Sequence, residues 1–583
     1  MADATERVAG DPRGRIPFYR ALLASVLSVL LACGGLAYLW TMRNLYPGVA
    51  VARVPTAEEA PGAPLRTGPR RRVRVIQPAS NIACAAERRF DLWAQVLHWQ
   101  RLGESMGFRM EVGGLERVPQ GPGAVDALIV PWVLCLDPAE RRALDRFAAA
   151  GGGIILAGGA GLSEAPPEPF QFESHFVVPA GRTAPTSALD PGRRLELPLD
   201  SPARTSEDGT PMLWWSRWKL RPTSAKGGPW QPAATLSAKG ARRAWFGFPA
   251  SHAAPGSEAE LDRVRSLALQ WVAGDTVVAV APWPEGKRFA WVVALDVQGP
   301  EAQIGSALAA LSEQGLRATV FAYADAAGRG ARLRKALAGV AELGSRGDRR
   351  TRFLGGTRIH QRQKLREGRE RLGALHPRPV RGLRVPQESF DALTLHESVL
   401  SGYGYVLGAP DFDRAFPRWV SAEGRRIALV SRAGTGDRRD GPGAAPATDV
   451  HRDLARMAEL SGLFVMTPSR EHLATASGRS QLARLVAEAR AGGAWQATAG
   501  EAVAWARARS RLALTSVSAG GLEVANRGTS PARDVVLELY GPSLAPSQQI
   551  LPTLAPDSAV RVSLPAKGVA IAPKQAITEA AAR

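Results

Sequence analysis

The sequence predicts a multidomain α/β protein behind one N-terminal membrane segment. The chain has 583 residues, which is too long for one ordinary domain. Residues 21–42 are mostly apolar and carry no charge. Beyond residue 70, short apolar strands alternate with amphipathic helices, an order typical of α/β folds. The shares of hydrophobic residues (45%) and charged residues (22%) indicate a folded chain rather than a disordered one.

The net charge of +20 at first suggests a nucleic-acid partner. However, 66 of the 74 basic residues are Arg and only 8 are Lys, and Ala, Gly and Pro are abundant as well. This bias is typical of a GC-rich coding sequence, so we interpret most of the excess charge as compositional and predict no nucleic-acid binding. The three cysteines are too few for a disulfide-stabilised scaffold.

The apolar segment 21–42 predicts a transmembrane helix, because its 22 residues match a hydrocarbon core of about 30 Å. Residues 1–20 contain four arginines and favour a cytoplasmic tail, so we expect an anchor in a bacterial inner membrane and a periplasmic bulk. A lipoprotein lipidated at Cys33 and a cleaved signal peptide are the alternatives, and both also place the rest outside the cytoplasm. Residues 43–70, rich in Pro, Ala and Gly, predict a linker.

Residues 71–277 predict the first α/β domain. Residues 127–131 form a continuous apolar run, typical of a buried parallel strand. Asp137 and Glu140 form a capping box that begins a helix, and residues 154–157 predict the next strand after a glycine stop.

The strand–helix–glycine–strand run at 126–161 resembles the glutamine-amidotransferase-like branch of the flavodoxin-like folds. Active members of that family carry a nucleophilic cysteine on a sharp turn after a strand. Here the matching turn, 158–161, reads Gly-Gly-Ala-Gly, so the resemblance implies a domain without that nucleophile. Cys84 and Cys135 each follow a predicted strand. In an oxidising compartment we consider them candidates for a disulfide, with two separate thiols as the alternative.

Residues 278–510 repeat the βα pattern that suits a barrel. An apolar strand ends at Asp296, a helix follows, and residues 318–322 form the next strand. From residue 511 short strands separated by Gly and Pro predict a small β-sandwich over 511–573, followed by a tail at 574–583.

An ordered set of landmarks in the second region resembles the polysaccharide deacetylase family, which removes N- or O-acetyl groups from glycans on a distorted (β/α) barrel. Each landmark alone is weak, whereas their order is fairly specific. The landmarks are residues 294–297, 316–321, 342–350, 381–386, 402–407 and 462–466, followed by Trp495 and 498–505.

The resemblance implies metal chemistry whose ligands are missing here. The family uses two adjacent acids, of which one is the general base and the other binds a divalent metal, together with two histidines four residues apart and a late histidine as acid. Val297 stands in place of the metal-binding acid, and Arg346 and Arg350 stand in place of the histidine pair. Residues 467–469 read Thr-Pro-Ser where the late histidine belongs. We therefore predict no metal and no other cofactor.

Two residues of the family site remain, because Asp296 matches the base and Arg384 matches the arginine that holds it. A metal site rebuilt from Asp296, Asp348 and His472 is the alternative to a site without metal.

Arginines near the cleft predict its ligand. Arg346, Arg349 and Arg350 are candidate glycan-binding residues, since arginine forks match carboxylate, sulfate and phosphate groups. We expect a non-catalytic, deacetylase-like protein that binds or organises envelope polysaccharide, in particular an anionic one. The alternative hypotheses are an active carbohydrate esterase or deacetylase with an unusual site, and a structural, protein-binding envelope component.

Overall fold

The computed structural model of the chain does not describe all of the predicted regions. Most of the predicted tail 1–20, linker 43–70 and tail 574–583 lies outside the described residues. The described residues are 15–45, 52–53, 71–115, 123–159, 176–198, 200–206, 208–216, 231–298, 301–328, 330–408, 415–432, 447–517, 521–541, 543–564 and 575–576.

The first helix, α1 (Arg15–Leu45), contains the predicted membrane segment. Tyr19–Leu39 is 21 residues long, apolar, and not packed against the rest of the protein. At about 1.5 Å per residue it is long enough to cross a membrane. By length and composition an anchor and a signal sequence share this property. A two-residue strand, β1 (Ala52–Arg53), follows.

The next part of the chain forms a nine-stranded sheet with its helices. Its elements are β2 (Arg72–Ile76), α2 (Ala79–Glu87), α3 (Leu92–Ser105), β3 (Arg109–Gly113), β4 (Ala127–Val133), α4 (Pro138–Ala149), β5 (Gly153–Gly158), β6 (Phe176–Pro179), β7 (Leu195–Glu196), β8 (Thr210–Ser216), β9 (Pro232–Ser237), β10 (Arg243–Phe246) and α5 (Glu258–Val272).

This sheet has the strand order β3-β2-β4-β5-β10-β9-β8-β6-β7. Its first five strands are parallel and follow the order 2-1-3-4-5 of a doubly wound sheet. The apolar strands β4 and β5 are buried along their whole length. The predicted capping box begins α4: the Asp137 carboxylate accepts hydrogen bonds from the N–H groups of Ala139 and Glu140. The α/β architecture is thus present, and the amidotransferase resemblance remains a prediction.

Strand β11 (Val277–Val280) follows α5 but is not part of this sheet. The second α/β unit begins after it. The elements of this unit are β12 (Phe289–Val297), α6 (Glu301–Glu313), β13 (Thr319–Ala322), α7 (Ala331–Ala338), β14 (Glu342–Ser345), α8 (Arg358–Gly373), β15 (Gly382–Leu383), α9 (Ala392–Leu400), β16 (Tyr405–Gly408), β17 (Arg418–Ala422), β18 (Arg425–Ser431), α10 (Ala447–Glu459), β19 (Leu463–Met466), α11 (Arg470–Leu473), α12 (Ala476–Ala491), β20 (Ala494–Ala497) and α13 (Ala499–Arg509).

The strands of this unit form a half-barrel in the order β1-β17-β18-β16-β15-β14-β13-β12-β19, and β20 also pairs with β12. All pairings from β18 to β19 are parallel. Among the described strands, no pairing joins the two ends of the sheet. The carboxyl ends of the parallel strands therefore meet at one open rim, where loops place polar side chains.

The C-terminal β-sandwich contains a strand that the sequence analysis assigned elsewhere. Its elements are β21 (Leu512–Val517), β22 (Gly521–Asn526), β23 (Val536–Tyr540), β24 (Ser547–Ile550), β25 (Ala559–Ser563) and β26 (Gln575–Ala576). β11 pairs with β23, so the boundary at 278 divides a strand of the sandwich. β26, in the predicted tail, pairs with β24. An apolar strand such as β11 carries no local mark of its distant partner, which is why periodicity missed it.

Buried ion pairs join the first unit to the rest of the chain. Arg182 Nη2 lies 2.5 Å from Glu538 Oε2, and both side chains are almost fully buried. Arg509 Nη1 lies 3.1 Å from Asp190 Oδ1. A buried charge that loses its partner is costly, so these pairs hold the units in one arrangement.

Candidate functional site

Asp296 lies at the rim of the half-barrel, near the end of strand β12. β12 pairs with three strands, and its residues from Phe289 to Leu295 are buried in the barrel core. Asp296 breaks this apolar run and keeps 24% of its side chain exposed. The predicted apolar strand therefore carries Asp296 near its end, and the role of this residue as a base stays a prediction.

Two guanidinium groups hold the Asp296 carboxylate. Arg346 Nη1 lies 2.8 Å from Oδ2, and Arg384 Nε lies 3.3 Å from Oδ1. The two arginine side chains are only 7% and 10% exposed. Each carboxylate oxygen thus has its own cation, and Asp296 is the central counter-ion of a largely buried triad.

Arg346 reaches Asp296 because strand β14 ends beside β13. The Arg346 N–H donates to the carbonyl of Ala322, and the guanidinium lies over the Tyr323 ring, 5.0 Å from its centroid. Burial raises the pKa of the Tyr323 phenol, while the Arg346 guanidinium opposes this shift. The cation–π contact adds to the ion pair and fixes the guanidinium in place.

Arg384 continues the charge network to two residues that the sequence analysis missed. Its Nη2 lies 3.8 Å from Glu388 Oε1, and Arg432 Nε lies 2.6 Å from the same oxygen. Burial lowers the pKa of Arg384, and the charge of Asp296 opposes this shift. Gln387 and Glu388 have φ values of 57° and 54°, so the turn after Pro386 holds a strained backbone that carries Glu388. Only the four-residue spacing of Arg384 and Glu388 hints at this pair in the sequence.

The three arginines predicted to bind glycan lie in different surroundings. Arg346 is buried against Asp296, whereas Arg349 and Arg350 are exposed on the loop after β14. Arg349 Nε lies 3.2 Å from Asp348 Oδ2, with 76% of the Arg349 side chain exposed. Arg352, also exposed, donates from Nε to Gln387 on the neighbouring loop, at 3.0 Å. The rim thus presents exposed cations around a buried ion triad.

The residues at the positions where the sequence analysis looked for metal ligands are not placed together around a metal site. Val297 is 3% exposed and packs in the hydrophobic core of the barrel. His472 contacts Gln481, with 2.7 Å between Nε2 and Oε1. Within the described part of the chain, no three His, Cys, Asp or Glu side chains are placed to hold a metal ion. The rebuilt site of Asp296, Asp348 and His472 therefore has no support in this geometry.

Several polar atoms around the triad are buried without a hydrogen-bond partner among the described residues. They include Arg346 Nε, Arg384 Nη1 and the Tyr323 hydroxyl. Buried polar groups are normally paired. These three groups can donate a hydrogen bond, but Asp296 Oδ1 and Asp348 Oδ1 are buried acceptors in the same state, so the cleft offers both donors and acceptors to water or to a ligand.

The first sheet has no room for a nucleophile at the glycine turn. Gly158 and Gly159 have φ values of 65° and 62°, and a Cβ at Gly158 would lie 2.8 Å from the Trp132 ring. The rest of the predicted turn, residues 160–161, lies outside the described residues. Nearby, Cys84 and Cys135 form a disulfide with a Cα–Cα distance of 6.1 Å.

The comparisons with known proteins find structural likeness to part of the chain. No family model and no curated protein matches the sequence. Among solved structures, neighbours include a protein assigned as a polysaccharide deacetylase from Mycobacterium smegmatis, 18% identical, covering 39% of this chain and 93% of that one, with a TM-score of 0.35. Another such protein, from Pseudomonas aeruginosa, is 15% identical and covers 38% and 93%, with a TM-score of 0.33. A CE4 family pseudoenzyme from Bacillus anthracis is 13% identical and covers 38% and 66%, with a TM-score of 0.28.

Proposed function

We propose that the chain is a membrane-anchored, extracytoplasmic, deacetylase-like protein that binds an anionic envelope polysaccharide without hydrolysing it. The observation that carries the proposal is the ion pair between Arg346 and Asp296, 2.8 Å apart. A guanidinium placed at a position of a metal ligand keeps positive charge in the cleft but offers no open coordination position for water.

The same ion pair argues against hydrolysis. Metal-dependent deacetylation needs hydroxide at neutral pH, which the metal supplies by lowering the pKa of its bound water. A general base also needs a free lone pair within reach of that water. Here the metal-ligand positions hold Val297, Arg346 and Arg350, and both Asp296 oxygens face a guanidinium. In this proposal Asp296 and Arg384 act as structural partners.

The charge at the rim supports an anionic ligand. In the loop after β14, residues 348–352 contain three exposed arginines and one acidic residue, Asp348. Arg349 and Arg350 are exposed at the cleft, and Arg350 is close enough to affect the pKa of Tyr323 by its charge. Arginine forks bind carboxylates in two-point geometry. A polysaccharide with uronic-acid carboxylates therefore matches this rim better than a neutral one.

The test is glycan binding by the full chain in nanodiscs, with a soluble polyuronate and neutral dextran as probes. We expect polyuronate binding that Arg349→Gln/Arg350→Gln weakens about tenfold, since each exposed charged contact contributes about 0.5–1 kcal/mol. These two residues are preferred to Arg346, because a substitution of Arg346 would remove an ion-pair partner of Asp296. Arg527→Gln/Arg533→Gln, which removes two exposed arginines of the β-sandwich, is the matched control.

Three results would overturn the proposal. Equal binding of both variants would remove the rim from recognition, and no binding of either probe would favour a structural role. Acetate release from an acetylated glycan, together with a stoichiometric divalent ion in the purified protein, would instead establish an active esterase.

A further inference from the structure

The face of the half-barrel opposite the rim carries a cluster of exposed arginines. Arg381 directly precedes β15, Arg507 lies in the last turn of α13, and Arg511 directly precedes β21. All three side chains are exposed. We call these three residues the amino-face cluster, because they lie towards the amino ends of the parallel strands.

The positive charges of this cluster are not balanced within it. Burial lowers the pKa of the Arg507 guanidinium, and the charges of Arg381 and Arg511 lower it further. Among the residues that the structure describes, no acidic side chain forms an ion pair with any member of the cluster. The Arg507 guanidinium lies instead over the Trp419 ring, 4.9 Å from its centroid. Since like charges repel, such a cluster is stabilised by an anionic partner.

The chain from the apolar helix joins the half-barrel at this same face. α1 ends at Leu45, and Ala52 of β1 pairs with Ser421 of β17. Seven residue steps reach at most about 25 Å even when fully extended. Ser421 in turn pairs with Arg426 at the amino end of β18. The helix that would cross the membrane is therefore tied to the amino ends of the strands and not to the rim.

The tether and the amino-face cluster share strand β17. Trp419, which carries the Arg507 guanidinium on its ring, lies two residues from Ser421, about 7 Å along the strand. Across the neighbouring strands Trp419 is level with Gly382, the first residue of β15. The cluster thus lies beside the point where the chain from the apolar helix joins the half-barrel.

The position of the cluster favours lipid phosphate as its ligand. Arginine forks match the geometry of phosphate groups. An anionic leaflet presents many phosphates, and it attracts basic residues that lie close to a membrane-spanning segment. The exposed arginines proposed to bind glycan, Arg349 and Arg350, lie on the loop after the carboxyl end of β14. The two groups of arginines therefore lie at opposite ends of the strands and meet different ligands.

We propose that the amino-face cluster binds lipid phosphates of the anionic leaflet into which the apolar helix inserts. The half-barrel then stands on the membrane by its amino-end face, and the Asp296 cleft opens away from the membrane towards the polysaccharide. This inference rests on the membrane anchor of the proposed function and goes beyond it, because it gives the protein a second ligand and a fixed orientation.

The experiment measures which end of the half-barrel lies at the membrane, using the full chain in nanodiscs. A fluorophore is attached to Ala504→Cys, an exposed position one turn before Arg507, in a Cys33→Ser background. Cys84 and Cys135 are protected by their disulfide. The same label on Ile359→Cys, 76% exposed near the start of α8 at the rim, is the matched control. Nanodiscs of phosphatidylcholine, with or without phosphatidylglycerol, carry nitroxide headgroups that quench at short range.

We expect the label at 504 to be quenched when phosphatidylglycerol is present and much less in its absence, while the label at 359 is quenched in neither case. Arg381→Gln/Arg511→Gln should lower the ratio of docked to undocked protein about thirtyfold, equivalent to about 2 kcal/mol for two basic residues near an anionic leaflet. Arg349→Gln/Arg350→Gln removes the same charge at the rim and should leave this ratio unchanged.

The proposal is overturned if the label at 504 is quenched no more than the label at 359 in anionic nanodiscs, or if the two double variants reduce its quenching equally. Soluble polyuronate provides a further arm. If Arg381→Gln/Arg511→Gln loses polyuronate binding and the rim variant does not, the cluster is a glycan site and the docking proposal is wrong.

A failure of this inference is distinguishable from a failure of the proposed function. If nanodiscs do not retain the full chain, the membrane anchor of the proposed function fails, and the docking proposal fails with it. If the chain is retained and binds polyuronate, but phosphatidylglycerol does not increase quenching at 504, only the docking proposal fails. Intact polyuronate binding by Arg381→Gln/Arg511→Gln also shows that this variant is folded.

Discussion

Replacing Asp296 by Asn should destabilise the half-barrel strongly. The replacement of a catalytic base is expected to have the opposite effect on stability. Active-site residues are often held at a cost to stability, so their removal is commonly neutral or stabilising. In this protein Asp296 is instead the shared counter-ion of Arg346 and Arg384. Asparagine keeps the shape of the side chain but removes its charge. The two largely buried guanidinium groups of Arg346 and Arg384 then lack their shared counter-ion.

The magnitude follows from the burial of the triad. Removing one partner of a buried ion pair costs about 3–5 kcal/mol. Asp296 is 24% exposed, and Arg384 retains Glu388 at 3.8 Å, so we expect the lower end, about 3 kcal/mol. The double variant Asp296→Asn/Arg346→Met should recover part of this loss, because it removes one of the two stranded cations.

Native-state hydrogen exchange followed by mass spectrometry measures this effect locally, which suits a chain of several units. Peptides from β12 and β14 should exchange about 100-fold faster in Asp296→Asn, as a change of about 3 kcal/mol in opening free energy requires. Asp557→Asn, at an exposed position of the β-sandwich, is the control. Unchanged or slower exchange in β12 of Asp296→Asn would refute the structural role of the ion triad.

Two further predictions concern other parts of the fold. Loss of the Cys84–Cys135 disulfide, which closes a separation of 51 residues, should reduce the stability of the first unit by about 4 kcal/mol, seen as a lower melting temperature of Cys84→Ser/Cys135→Ser. Cys33→Ser should melt like the parent chain. The pKa of Glu397 is lowered from 4.5: burial opposes the shift, but hydrogen bonds from Arg362, His396 and Arg358 outweigh it. A depressed acid pKa stabilises the fold above its unfolded value, so the melting-temperature gap between parent and Glu397→Gln should be full above pH 4.5 and shrink as the pH falls below it; a constant gap would contradict this assignment.

The sequence predicted those helices and strands that depend on residues only a few positions apart. The capping box at Asp137 begins α4 as expected, and the apolar run before Asp296 forms strand β12 of the half-barrel. Each of these depends on residues a few positions apart, so their spacing carries the information. By contrast, β11 joins β23 across more than two hundred residues, and its four apolar residues fit either a barrel or a sandwich. Neither strand contains a local sequence pattern that identifies its distant partner.

The candidate site shows the same division. The sequence shows Arg346 where the resemblance predicts a histidine, and Asp296 and Arg384 where it predicts an acid and an arginine. Whether the Arg346 side chain points to solvent or to the carboxylate depends on the packing of Tyr323 and on the close approach of β13 and β14, which are tertiary facts. Glu388 was missed because its position follows from the strained turn after Pro386.

The residues at the positions where the resemblance predicts metal ligands depend on one another. Val297 packs in the barrel core, so a carboxylate there would have to leave its apolar surroundings or remain buried at high cost. Arg346→His alone would remove the nearest counter-ion of Asp296, and Arg350→His alone would place a single donor beside two cations. Each single reversion therefore raises the free energy of the site before it adds a complete ligand set, since a catalytic metal ion needs about three protein ligands at once. Arg346 is consequently part of how this barrel is stabilised, and a metal site at this rim would require several changes together rather than any one substitution.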